Sequence, residues 1–78
     1  MDMSSLCKLI AEALEVDQGL VTVETDSNDI PEWDSLGHIT IIMKLTEVTK
    51  EQAGDIPDLA GANSVKEIFE NLQKNGLA

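Results

Sequence analysis

Ser35 and His38 are the residues of this 78-residue chain whose types and spacing first suggest chemistry. They lie three positions apart, so a helix would bring their side chains together. A serine beside an imidazole is the start of a nucleophile–base pair. Such a catalyst also needs a group that orients the base and an oxyanion site, and the neighbouring residues offer neither. The sequence therefore favours another role for Ser35, with His38 as a surface residue near it.

The segment before Ser35 is rich in acids, a composition that suits cation binding. Its acids are Glu24, Asp26, Asp29, Glu32 and Asp34. A calcium-binding EF-hand loop needs glycine at its sixth position and glutamate at its twelfth. Counted from Asp26, those positions hold Pro31 and Gly37, so the motif fails and no specific metal site is predicted. Weak, non-specific cation binding stays open, since it would relieve self-repulsion.

The charge of the whole chain limits the classes of partner. Fifteen acids against five basic residues give a net charge of −10. Such a field repels nucleic-acid phosphates and anionic lipid surfaces, so neither nucleic acid nor membrane is an expected partner. It attracts proteins with basic patches. Acids that serve only solubility are the alternative interpretation.

Cysteine usage and apolar runs bear on the compartment. Cys7 is the only cysteine, which excludes an internal disulfide and a multi-cysteine metal site. Its helical context predicts a small packed side chain. The N-terminus has no basic region followed by an apolar run, and the apolar stretches are too short to span a bilayer. We expect a soluble, cytoplasmic monomer.

The spacing of apolar residues and the helix start and stop signals predict an all-α fold in one domain, residues 1–78. The predicted fold is a small helical bundle of three main helices plus a short fourth helix. The first helix has Ser4 or Ser5 as its cap and Gly19 as its stop. Its apolar stripe is Leu6, Leu9, Ile10, Ala13 and Leu14. A long loop, residues 20–34, separates it from the second helix.

Three apolar residues of this loop are expected to pack against the helices, namely Leu20, Val21 and Val23.

Trp33, at the end of the loop, has two interpretations. It either covers the edge of a core that is poor in aromatic residues or serves as an exposed anchor for a partner protein. The first is favoured because aromatic burial is valuable in a small core.

The second helix is predicted to have Asp34 as its N-cap, to run to about Gln52 and to stop at Gly54. One buried row is expected along it, formed by Leu36, Ile39, Met43 and Thr46, with Ile42 and Leu45 flanking. The short helix begins at Pro57 and ends at Gly61. Ser64 and Glu67 have capping-box spacing and start the last helix, whose apolar face is Val65, Ile68, Phe69 and Leu72.

Asp34-Ser35-Leu36 resembles the Asp-Ser-Leu signature of the acyl carrier protein family. The tripeptide alone is a weak signal. The rest of the chain follows the family order: an upstream helix, an acidic loop, a helix after the serine, Ile56-Pro57-Asp58 and a final helix at Ser64-Val65. The resemblance therefore covers nearly the whole chain.

The resemblance implies that Ser35, flanked by Asp34 and Leu36, carries 4′-phosphopantetheine. A phosphopantetheinyl transferase attaches it from coenzyme A with Mg²⁺, and its thiol then holds acyl groups as thioesters. The chain itself would catalyse nothing. Its other partners would be acyl-chain synthases and transferases with basic docking patches, in fatty-acid or related specialised, polyketide-like synthesis, and the cargo would fold back into a cavity among the helices.

Two departures from the family bear on docking. Gly37 stands where carriers of fatty-acid synthesis often have an acid, and the stretch from Ser35 to Ala53 is formally neutral. We therefore expect the loop acids, more than those of the second helix, to meet the basic patches of partner enzymes.

Overall fold

The computed structural model describes residues 1–78, and it confirms the all-α prediction. Three α-helices form a small bundle of 27 × 22 × 18 Å: α1 (Met3–Leu14), α2 (Ser35–Val48) and α3 (Val65–Lys74). Three short 3₁₀ turns connect them, at Gln18–Leu20, Ala53–Asp55 and Pro57–Gly61. The only β-type pairing is an isolated bridge between Asp26 and Ser64, which ties the long loop to the start of α3.

Helix α1 begins earlier than predicted. Asp2 is its N-cap, and the Asp2 carboxylate accepts a hydrogen bond from the Ser5 N–H at 2.8 Å. Ser4 and Ser5 cannot cap because both already lie within the helix, whereas Asp2 has the extended backbone that a cap requires. The bond from Ser5 lowers the pKa of Asp2 from its ordinary value of 3.8.

The end of α1 also differs from the prediction, since the helix stops at Leu14 and not near Gly19. Glu15 adopts a left-handed backbone with φ of 57°, and the N–H of Val16 returns to the carbonyl of Ala11 at 3.1 Å. This is the closure that a glycine normally makes at a helix end. No sequence signal predicts this closure, because a glutamate occupies the position.

Helix α2 ends at Val48, although it was predicted to run to about Gln52 and to stop at Gly54. Lys50 and Glu51 have φ of 54° and 73°, so the chain turns left-handed there and cannot continue the helix. The Thr49 hydroxyl then accepts the N–H of Ala53 at 2.9 Å, which starts the next 3₁₀ turn.

The last third of the chain follows its local signals. Pro57 opens the 3₁₀ turn that ends at Gly61, as predicted. The Ser64 hydroxyl accepts the N–H of Glu67 at 3.1 Å and caps α3. Gly76, with φ of 74°, closes the helix through a bond from the Leu77 N–H to the Leu72 carbonyl at 2.8 Å.

The buried face of α2 is not the predicted one. Ile41 and Leu45 are fully buried, whereas Leu36, Ile39 and Met43 are 75%, 55% and 62% exposed. Apolar residues occur on several sides of α2, so periodicity alone does not select the stripe that α1 and the turn Pro57–Gly61 cover.

The core is one cluster of 18 buried residues drawn from all three helices and the connecting segments. From the long loop, Val21, Ile30 and Trp33 enter it, while Leu20 and Val23 stay exposed against expectation. Cys7 packs against the cluster, as predicted, and burial raises the pKa of its thiol. None of the helices has both the length and the apolar character needed to cross a membrane.

Candidate functional site

Ser35 is the first residue of α2, and Asp34 is the N-cap that the sequence predicted. The Asp34 carboxylate accepts the N–H of Gly37 at 2.9 Å, and its backbone carbonyl accepts the N–H of His38 at 2.8 Å. The Ser35 side chain is exposed, and the hydrogen bonds of this turn leave its hydroxyl free. Ser35 is therefore held on a fixed backbone with an unengaged oxygen.

The first turn of α2 also carries backbone N–H groups without acceptors. The bonds from Gly37 and His38 to Asp34 leave the N–H groups of Ser35 and Leu36 unpaired. Unpaired amides at a helix start favour a nearby anion such as a phosphate ester. The exposed Asp34 carboxylate opposes that field in part, because it carries a negative charge of its own.

An apolar groove of about 630 Å³ adjoins Ser35. Its lining includes Trp33, Ile39, Ile42 and Met43 together with residues 60–63. The exposure of Ile39 and Met43 thus follows from their position along an open groove. Leu36, which was predicted to belong to the buried row of the second helix, lies outside this lining and faces solvent.

His38 was expected at the surface, but it lies half-buried between two other segments. Its Nδ1 accepts the indole N–H of Trp33 at 3.0 Å, and its Nε2 lies 2.8 Å from the carbonyl oxygen of Leu59. The two rings stack, with centroids 6.2 Å apart and planes inclined by 14°. Because Nδ1 accepts, the ring proton must reside on Nε2 and be donated to Leu59, which defines a neutral tautomer.

These two bonds engage both ring nitrogens of His38, so neither is free to take the Ser35 proton. The same contacts settle the interpretation of Trp33. Its side chain is only 5% exposed and its indole N–H is paired, so it covers the core edge instead of projecting as an anchor.

The loop acids are partly engaged in the structure of the loop itself. Asp26 accepts the N–H of Asn28 at 2.8 Å, and Asp29 accepts the N–H of Asp26 at 3.0 Å. Glu24 pairs with Lys66 of α3 at 3.4 Å. No group of three or more histidine, cysteine or acidic side chains is placed to hold a metal ion.

Gly37 is the residue whose importance the sequence did not reveal. A Cβ built on it would lie 2.7 Å from Cδ2 of Leu14 and closer still to the carbonyl oxygen of Glu32. The first turn of α2 therefore packs directly on the loop and on α1 through a position that has no side chain. Its only sequence signal was a glycine inside a helix, which ordinarily weakens helices and so calls for a packing reason.

Comparison of the chain with protein-family models, with curated proteins and with solved structures gives no significant match.

Proposed function

We propose that the protein is an acyl carrier protein whose Ser35 takes 4′-phosphopantetheine. The observation that carries the proposal is an exposed, unengaged Ser35 hydroxyl at the first position of α2, inside the Asp34-Ser35-Leu36 motif. A transferase needs an accessible serine oxygen, and this one is accessible without unfolding. The unpaired amides of Ser35 and Leu36 favour the phosphate that would be attached.

The groove beside Ser35 supports the second half of the proposal, which is that the arm carries acyl groups. Its walls are largely apolar, and an apolar chain laid against them would lose contact with water. Ser35 itself lines the groove, so an arm anchored there has the groove within reach.

The charge distribution supports enzymes with basic patches as partners, in fatty-acid or specialised, polyketide-like synthesis. Glu32 and Asp34 are exposed immediately before Ser35, and neither forms an ion pair within the chain. Glu24 is already paired with Lys66, so its contribution to docking is smaller than the sequence suggested. Exposed charges of this kind act mainly on the rate of association.

Intact-mass analysis tests the proposal directly. The protein is incubated with a phosphopantetheinyl transferase of broad specificity, coenzyme A and Mg²⁺. We expect the mass to rise by one phosphopantetheine arm, and we expect Ser35→Ala to fold with an unchanged unfolding midpoint but to gain no mass. Ser27→Ala is the matched control, because Ser27 also lines the groove and its removal should leave the modification intact.

Two results would overturn the proposal. One is a wild-type protein that gains no mass with several transferases. The other is modification that persists in Ser35→Ala, which would move the attachment site elsewhere.

A further inference from the structure

We propose that His38 is the positioning residue of the groove beside Ser35, and that its neutral form holds Trp33 in the groove wall and releases it on protonation. The part that concerns Trp33 depends only on the structure of the unmodified chain. The part that concerns bound cargo rests on the proposed carrier function.

The His38 ring connects two segments of the chain to α2. His38 belongs to α2, but its ring joins Trp33 of the long loop to Leu59 of the turn Pro57–Gly61, 21 positions away. Trp33 lines the groove, and residues 60–63, which overlap the end of the turn, line it as well. One side chain thus ties two lining segments of the groove to α2.

The bond between Trp33 and His38 depends on the protonation state of the His38 ring. Trp33 can only donate through its indole N–H, so the bond at 3.0 Å requires an unprotonated Nδ1. A proton on Nδ1 would set two donors against each other, and the Trp33 bond would be lost. The bond from Nε2 to the Leu59 carbonyl would remain, since Nε2 carries a proton in both forms. Protonation of His38 therefore breaks its bond to Trp33 of the loop and keeps its bond to Leu59 of the turn Pro57–Gly61.

Few charged side chains lie near His38. In the groove lining, Asp34 is the only other ionisable side chain. From the loop, Glu32 is exposed, and from the turn, Asp58 is exposed beside Leu59. Residues 60–63 are Ala, Gly, Ala and Asn, and Leu14 of α1 meets the neighbouring Gly37, so these residues add no charge. Asp34 is thus the group whose titration must be separated from that of His38.

Two variants separate the two bonds of the ring. Asn places its carbonyl oxygen near the position of Nδ1, so His38→Asn keeps the acceptor for the Trp33 N–H and loses the hydrogen bond to Leu59. Gln places its amide N–H group near the position of Nε2, so His38→Gln keeps the hydrogen bond to Leu59 and loses the acceptor for Trp33. Neither variant titrates.

The first experiment uses the unmodified protein and follows Trp33, its only tryptophan, between about pH 8 and pH 5, where histidine changes charge. Fluorescence and the indole N–H resonance are recorded together. We expect a one-proton transition in the wild-type protein, with the indole proton protected from exchange only at the upper end. The transition should be absent from both His38 variants and should persist in Asp34→Asn, which retains a capping residue.

A wild-type protein without the transition would overturn the proposal. So would a transition of the same size in both His38 variants, because another group would then be titrating. A further contradiction would be an indole proton in His38→Gln as well protected as in His38→Asn.

The second experiment concerns the cargo. Ser35 is loaded by the transferase from coenzyme A or from a medium-chain acyl-coenzyme A, and the emission of Trp33 is compared between the two products. We expect an acyl-dependent shift at pH 8 that falls at about pH 5 and in His38→Gln. Equal emission of the two products under all conditions would overturn the positioning role. If Ser35 accepts no arm, the carrier function fails while the first experiment still decides the role of His38.

Discussion

Gly37→Ala is the substitution for which the structure gives the most definite expectation. The added methyl group would lie 2.7 Å from Cδ2 of Leu14, where carbon atoms ordinarily rest about 3.5–4.0 Å apart. Its closest neighbour would be the carbonyl oxygen of Glu32, which is backbone and cannot rotate away. The loop before Trp33 must therefore move outward by about 1 Å to restore ordinary contacts.

The free-energy change follows from two opposing effects. Overpacking of this kind costs about 1–3 kcal/mol. Alanine recovers up to about 1 kcal/mol over glycine as a helix former, and less near a helix start. A clash with backbone favours the upper part of the first range, so we expect a net destabilisation of about 2 kcal/mol. A domain of this size has a total of about 4–12 kcal/mol, so the loss is a substantial fraction.

Urea unfolding monitored by Trp33 fluorescence and by far-ultraviolet circular dichroism measures this change. With a denaturant slope of about 1 kcal/mol per molar, the midpoint should fall by about 2 M. Gly19→Ala is the matched control, because a Cβ at Gly19 meets nothing within 4 Å. Its free energy of unfolding should stay within about 0.5 kcal/mol of the wild-type value.

A Gly37→Ala protein as stable as wild type, or as Gly19→Ala, would refute the reasoning. It would mean that the loop yields to the methyl group without cost and that the contact between Gly37 and Glu32 does not hold the start of α2. An intermediate loss accompanied by a changed denaturant slope would point instead to a less compact native state, and a native-state change in Trp33 emission would locate it at the loop.

The remaining predictions concern charge. At about 0.01 M salt the screening length is about 30 Å, longer than the 27 Å molecule, so we expect the thermal midpoint to rise when salt reaches about 0.1 M or when millimolar Mg²⁺ is added; an unchanged midpoint would show that acid repulsion is unimportant. The Ser5 N–H lowers the pKa of Asp2, so the stabilisation by this cap is complete above the ordinary value of 3.8 and is lost as pH falls through the lowered native value. Asp2→Ala should therefore be less stable than wild type near neutral pH, and the difference should shrink as the pH falls below 3.8 in urea titrations, whereas a constant difference would contradict a charged cap.

Much of the site was available from local sequence. Asp34 caps α2, Ser64 caps α3 and Pro57 opens a 3₁₀ turn, each as predicted. These outcomes depend on one side chain and the backbone within a few residues of it, so the sequence contains the whole interaction. The exposed start of α2 at Ser35 follows from the same local rule.

The errors share a different cause. Leu36, Ile39 and Met43 have the spacing of a buried stripe, yet Ile41 and Leu45 are the buried residues. On a helix with apolar residues on several sides, the buried stripe is chosen by the elements that pack on it, and these lie far away in the chain. The left-handed ends of α1 and α2, at Glu15 and at Lys50-Glu51, likewise use residue types that give no local signal.

The sequence by itself determined where α2 and α3 begin, the acidic character of the loop and the placement of Ser35 at a helix start. Only the tertiary structure decided what surrounds Ser35. The bond between His38 and Leu59 spans 21 positions, and the close approach at Gly37 joins α2 to Leu14 of another helix. Such contacts depend on distances between segments that no local pattern encodes, and they exist only once the chain has folded.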